Sequence, residues 1–160
     1  MKFIDFIRFG KLGELSFGSS EHDVTKLLGT PDDKIISKKR FPALYKYGIL
    51  QIGFDEVLIG TETNSRVNLF MLDYYYEKHG QVVPSQIKAS DWFPCGSTTF
   101  REFEDYLCQE NAHSRIVQSL TYDEHRTCCC DKGMFTFELQ GESWLLHKMS
   151  VAESGHDGVK

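Results

Sequence analysis

Apolar positions along the chain fall into two recurring patterns, a three-four spacing and a strict alternation. Residues 18–29 show the first. Ser19 or Ser20 stands as an N-cap, with Glu21 and Asp23 in the opening turn where acids suit the helix dipole. Val24, Leu27 and Leu28 make an apolar stripe, Gly29 closes the helix, and Pro31 prevents its continuation. Residues 96–108 repeat the pattern, with Ser97 or Thr98 as cap and Phe100, Phe103, Tyr106 and Leu107 as the stripe. Each helix is followed by alternating runs. After the first they are 33–38, 43–47, 50–54 and 67–74, with a turn expected across 55–65. After the second they are 115–122, 126–130, 134–139 and 144–151. Residues 3–9 are apolar on both alternating faces and read as a buried strand or a docking segment.

These runs predict an α+β fold of two tandem helix-plus-four-stranded antiparallel sheet units, with the helices packed on one face of the sheet. The units are 1–76 and 99–152, joined by a turn-rich linker at 77–98, and they form one compact domain. Trp92-Phe93 is too apolar for a free linker and is expected to pack between the halves. The polar, Gly-containing tail 153–160 is expected to be disordered.

Charge narrows the partner class. A net charge of −5 argues against direct nucleic-acid binding, which needs clustered Lys and Arg, and suits a basic protein partner. The one basic run, Lys38-Lys39-Arg40, reads as a solvated hairpin tip. Asp5 and Arg8 break the first apolar segment, so it does not read as a signal peptide, and no stretch has the length of a membrane span. A cytoplasmic protein is expected.

Five cysteines, three of them consecutive, do not form a disulfide framework. On a strand, Cys128 and Cys130 share one face and Cys129 takes the other. They read as small buried hydrophobes. A metal site from Cys128, Cys130 and His125 is the sharper alternative, without the Cys-x-x-Cys pairs typical of zinc. No His-x-x-x-His, Gly-x-Ser-x-Gly, phosphate loop or Gly-x-Gly-x-x-Gly occurs. The sequence therefore points to no catalytic residues, no metal and no cofactor.

It does point to a binding surface. An antiparallel sheet backed by helices offers its other face to solvent, and aromatics carry much of the energy of interfaces. Tyr45, Tyr47, Tyr75, Trp92, Tyr122 and Trp144 are the candidate anchors. Asp73, Asp123, Glu124 and Glu138 would supply a negative rim.

Leu27-Leu28-Gly29-Thr30-Pro31-Asp32-Asp33, followed by Tyr45-Lys46-Tyr47-Gly48-Ile49-Leu50-Gln51-Ile52-Gly53-Phe54, carries a resemblance. The pattern, confined to residues 24–54, is similar to that of small bacterial immunity proteins encoded beside secreted polymorphic toxins. The two-unit layout resembles the tandem-repeat beta-lactamase inhibitor proteins, which grip an enzyme on a concave sheet. Leu-Gly-x-Pro also marks outer-membrane assembly lipoproteins, but those carry a lipid-attachment Cys near their start, and the first Cys here is Cys95. The resemblance implies a cytoplasmic immunity protein that occludes the active site of a cognate, basic toxin and needs no cofactor. The alternative is a small-molecule or peptide-binding module with a pocket between helix layer and sheet.

Overall fold

The computed structural model describes residues 1–35, 43–59 and 62–155. Three α-helices, α1 (Phe3–Phe9), α2 (Glu21–Leu28) and α3 (Phe100–Gln109), stand among the described residues. None is long and apolar enough to cross a membrane. The strands are β1 (Asp33–Ile35), β2 (Ala43–Tyr47), β3 (Leu50–Ile59), β4 (Glu62–Asp73), β5 (Arg115–Ile116), β6 (His125–Cys130), β7 (Gly133–Gln140) and β8 (Ser143–Ala152). The expected hairpin tip at 38–40 and the tail beyond 155 lie outside the described residues.

The expectation of two tandem helix-plus-four-stranded units is corrected by the topology. All eight strands form a single sheet in the order β1-β2-β3-β4-β8-β7-β6-β5. The last strand of each run pairs with the other, from Leu69 opposite Ala152 to Asp73 opposite Lys148. The cause is apolar pairing at the seam. Phe70 faces Val151 and Leu72 faces Met149, and all four are fully buried. Two separate sheets would have left these as open edges.

Other elements also depart from the sequence reading. Residues 3–9 are a helix, because Phe3, Ile4, Phe6 and Ile7 satisfy the three-four spacing as well as any alternation. Gly10 ends it at φ +63°, donating its N–H to the Phe6 carbonyl. A Cβ there would sit 2.0 Å from the Phe17 ring, so glycine is required twice over. The expected turn at 55–65 is occupied by strand up to Ile59 and again from Glu62. The expected strand 115–122 shortens to two residues followed by a 3₁₀ turn, Gln118–Leu120.

Capping boxes start the longer two helices. Ser20 pairs reciprocally with Asp23, and Thr99 with Glu102. The cap of α3 falls on Thr99 and not on Ser97 or Thr98, because the Thr98 hydroxyl already accepts from the Cys95 N–H. Hydrogen bonds from the Thr99 backbone and hydroxyl hold Glu102 below its ordinary pKa of 4.5, and those from Ser20 hold Asp23 below 3.8. A carboxylate lowered in the folded state stabilises above its unfolded pKa, and that contribution is lost as pH falls through the folded one. Melting temperature is therefore expected to fall as pH drops below about 4.5. Thr99→Ala should cost about 1 kcal/mol at neutral pH and flatten part of that acid limb. Unchanged melting curves for this variant would show the cap to be idle.

All three helices lie on one face of the sheet. α1 sets Phe6 against Phe70 (5.8 Å between ring centroids) and Phe3 against Phe135 (6.2 Å). α3 sets Phe103 against Phe135 (4.5 Å) and Phe137 (5.6 Å). Residues 80–98 carry no helix and no ladder strand, but Trp92 and Phe93 pack on Phe3 at 5.5 and 5.4 Å. The other face of the sheet is left largely to solvent, and the strand register decides which side chains it displays.

Candidate functional site

Residues on the helix-free face alternate with the buried ones. On β4, Phe70 and Leu72 point into the core, so Leu69, Met71 and Asp73 face out. On β7, Phe135 and Phe137 are buried, so Met134, Thr136 and Glu138 face out. Register then places His125 opposite Glu138 and Lys148 opposite Asp73.

Two features occupy this face. The first is a ribbon of rings. Tyr75, His147, His125 and Tyr122 are successive neighbours, with centroid separations of 6.5, 6.3 and 4.8 Å. Each is put there by a different local device. Tyr75 follows the end of β4, where its N–H donates to the Asp73 carboxylate. His147 is the extra residue of a bulge in β8, across from Thr136 and Phe137 on β7. Tyr122 and His125 exchange two backbone hydrogen bonds around the Asp123-Glu124 turn, which sets both side chains on one face. His79 extends the series beyond Tyr75 at 5.1 Å. Glu138 lies against the ribbon, its carboxylate accepting from Gln140 at 3.2 Å and 3.8 Å from His147 Nδ1. The buried Nδ1 of His125 makes no hydrogen bond.

The second feature is an open apolar depression of about 270 Å³, lined in part by Ile35, Leu44, Gly53, Leu69 and Met71. Gly53 makes its floor. Its φ is not positive, so backbone geometry does not demand glycine. A side chain there would begin 3.0 Å from the Leu69 Cβ and fill the space.

Six of the ten residues expected at a binding surface gather at the ribbon: Asp73, Tyr75, Tyr122, Asp123, Glu124 and Glu138. The other four are placed elsewhere, and each correction has a physical reason. Tyr45 and Tyr47 share strand parity with the core and sit opposite Ile52 and Leu50. The Tyr45 ring packs on Phe54 at 4.9 Å, and its hydroxyl accepts from Lys34 Nζ at 3.0 Å. The Tyr47 hydroxyl donates to the Gly29 carbonyl, and burial pushes its pKa up to about 12. Trp92 stacks on Tyr106 at 4.5 Å, on the helix side. Trp144 packs against the core beneath the Arg126 guanidinium, 4.5 Å from its ring. The sequence reading missed His79, His147 and the depression around Gly53, and singled out His125 only as a metal ligand with Cys128 and Cys130, not as a ring of this face. Alternation in β4 carried a signal for Leu69 and Met71. The histidines carried none, since their meeting depends on cross-strand register and a bulge.

The cysteines are free thiols. Cys128 and Cys130 are buried and Cys129 is intermediate. No group of three or more His, Cys, Asp and Glu among the described residues is arranged to hold a metal. Burial pushes Cys128 well above the usual thiol range and Cys130 to about 12. Cys95 goes the other way. Partial burial raises it, but hydrogen bonding with Ser97 and Thr98 outweighs that and lowers it. Iodoacetamide at neutral pH is expected to alkylate Cys95 first and Cys128 only on unfolding. Equal rates at the two would contradict this packing.

No protein-family model matches the chain, and no curated protein does. Among solved structures it is similar to a DUF4309 family protein (YjgB) from Bacillus subtilis subsp. subtilis str. 168. Identity is 16% over 84% of this chain and 78% of that one, with a TM-score of 0.38. A likeness this slight says nothing of function.

Proposed function

We propose that this chain is an immunity-type inhibitor. It binds a cognate secreted toxin in the cytoplasm through the helix-free face of its sheet and blocks the toxin's active site. The observation that carries this reading is the ribbon, where exposed tyrosines are interleaved with four carboxylates on one continuous antiparallel sheet. Tyrosine supplies large contact area at low entropic cost and is enriched at hot spots. Acidic groups around it speed the encounter with a basic partner. A sheet is a stiff platform. With neighbouring strands about 4.8 Å apart, β4, β8, β7 and β6 present a patch wide enough for the roughly 800 Å² per partner that stable complexes bury. The immunity resemblance of residues 24–54 supports the same reading and names the partner class.

The test is co-expression with the neighbouring genes. A toxin domain should co-purify at stoichiometric yield, and deletion of this gene should arrest growth unless the toxin is also removed. A monomeric protein from cells indifferent to its loss would overturn the proposal.

The second reading, a small-molecule or peptide-binding module, is favoured by the depression at Gly53. It lies on the helix-free face rather than between helix layer and sheet. A metabolite that raises the melting temperature of the protein, and fails to do so for Gly53→Val, would select this reading. A panel with no stabilising compound would remove its support.

A further inference from the structure

The ribbon sets carboxylates among exposed rings: Glu138 lies 3.8 Å from the His147 Nδ1, and Asp73 accepts from the Tyr75 N–H. Tyr122 is 65% exposed and rests one side of its ring on His125, leaving the other open. Tyr75 is 52% exposed. Glu138 lies between the two, within reach of His147. Asp123 and Glu124 are exposed in the turn next to Tyr122. The cations of this region are few. Lys148 of β8 lies opposite Asp73, and Lys46 of β2 is held 3.5 Å over the Tyr76 ring. Of the other basic side chains of these strands, Arg126 of β6 is on the other face, stacked on Phe100 at 4.9 Å and Trp144 at 4.5 Å, and Arg66 of β4 donates to the Gly18 carbonyl at 3.3 Å.

We propose that the ribbon recognises an arginine side chain of the protein partner, its guanidinium stacked on an open tyrosine face and forked onto the Glu138 carboxylate. This rests on the reading of the ribbon as the partner-binding face. Two requirements select arginine over lysine. A planar guanidinium can lie flat on a ring, and its paired N–H groups match a carboxylate bidentately, whereas an ammonium does neither. Arg126 makes the stacking half of this arrangement within the same strands. The mixture of rings and acids also explains why the ribbon is not simply an apolar patch: stacking supplies the contact, and the surrounding acids (Asp73, Asp123, Glu124) draw the cation in.

The experiment uses the full chain, labelled with ¹⁵N, titrated with triarginine and separately with trilysine. The two probes carry equal charge. Triarginine is expected to shift amides of Tyr75, Tyr122, His125, Glu138 and His147, and to bind roughly two- to fivefold more tightly than trilysine, the worth of exposed cation–π stacking. Tyr122→Ala and Glu138→Gln should each abolish the preference. Both positions are exposed or half-exposed, so an unchanged spectrum elsewhere certifies the fold. Equal binding of the two peptides, shifts confined to other regions, or no shifts at millimolar peptide would overturn the inference. A toxin captured through the ribbon with no arginine in contact would overturn it too, while leaving the immunity reading intact. Arginine-selective binding without any toxin partner would uphold the inference and count against immunity.

Discussion

Phe135→Ala is expected to destabilise the protein by about 3–5 kcal/mol, the range for deleting a fully buried aromatic side chain. Phe135 is 0% exposed and is the point where two helices meet the sheet. Phe103 of α3 lies 4.5 Å from its ring centroid and Phe3 of α1 lies 6.2 Å away. Gly133, two residues earlier, leaves room for the ring, since a Cβ there would come within 2.7 Å of it. Truncation therefore opens a cavity that α1, α3 and β7 cannot close together. For a chain of this size the melting temperature should fall by about 10 °C or more. Urea unfolding checks the value, and a loss below about 1 kcal/mol would mean that the helices are not tied to the sheet at this point.

Tyr75→Ala combined with Tyr122→Ala is expected to weaken partner binding by about 100-fold or more, with stability unchanged within about 0.5 kcal/mol. The two rings are exposed and lie at opposite ends of the histidine pair. If both act as hot spots worth about 2 kcal/mol, their loss should be additive, because they do not touch each other. Tyr47→Phe is the matched control. It removes the hydroxyl that donates to the Gly29 carbonyl at the end of α2, so it should lower stability by about 1 kcal/mol and leave affinity alone. The opposite pattern, with affinity sensitive to Tyr47 and indifferent to the exposed pair, would move the interface to the helix side. Isothermal titration against the captured partner separates the cases.

The sequence carried the elements set by neighbours along the chain. Ser20 with Asp23, and Gly29 before Pro31, mark α2 because capping chemistry acts within a few residues. Strands β2, β6, β7 and β8 follow from alternation for the same reason. What it did not carry is set by contacts across the fold. The pairing of Phe70 with Val151 joins distant segments, and nothing local announces that the two halves share one sheet. Residues 3–9 satisfy two periodicities at once, and only docking against Phe70 and Phe135 selects the helix. The same division holds at the site. Glu138 and Tyr122 were legible because a strand and a turn place them, whereas Tyr45 and Trp144 were assigned outward because alternation alone does not say which parity is the core. His147 was invisible, since it joins the ribbon only through the bulge in β8.

The proposed partner surface is the helix-free face, and hydrogen–deuterium exchange of the full chain, free and with its co-purified partner, locates the contact. Strand amides in β4 and β8 that lie deep in the ladder should change little. Those of the Tyr75 turn, the Asp123-Glu124 turn and the ends of β6 and β7 around His125 and Glu138 should gain protection on binding. Protection confined to α2, α3 or the Trp92 segment, with the ribbon unchanged, would contradict the account.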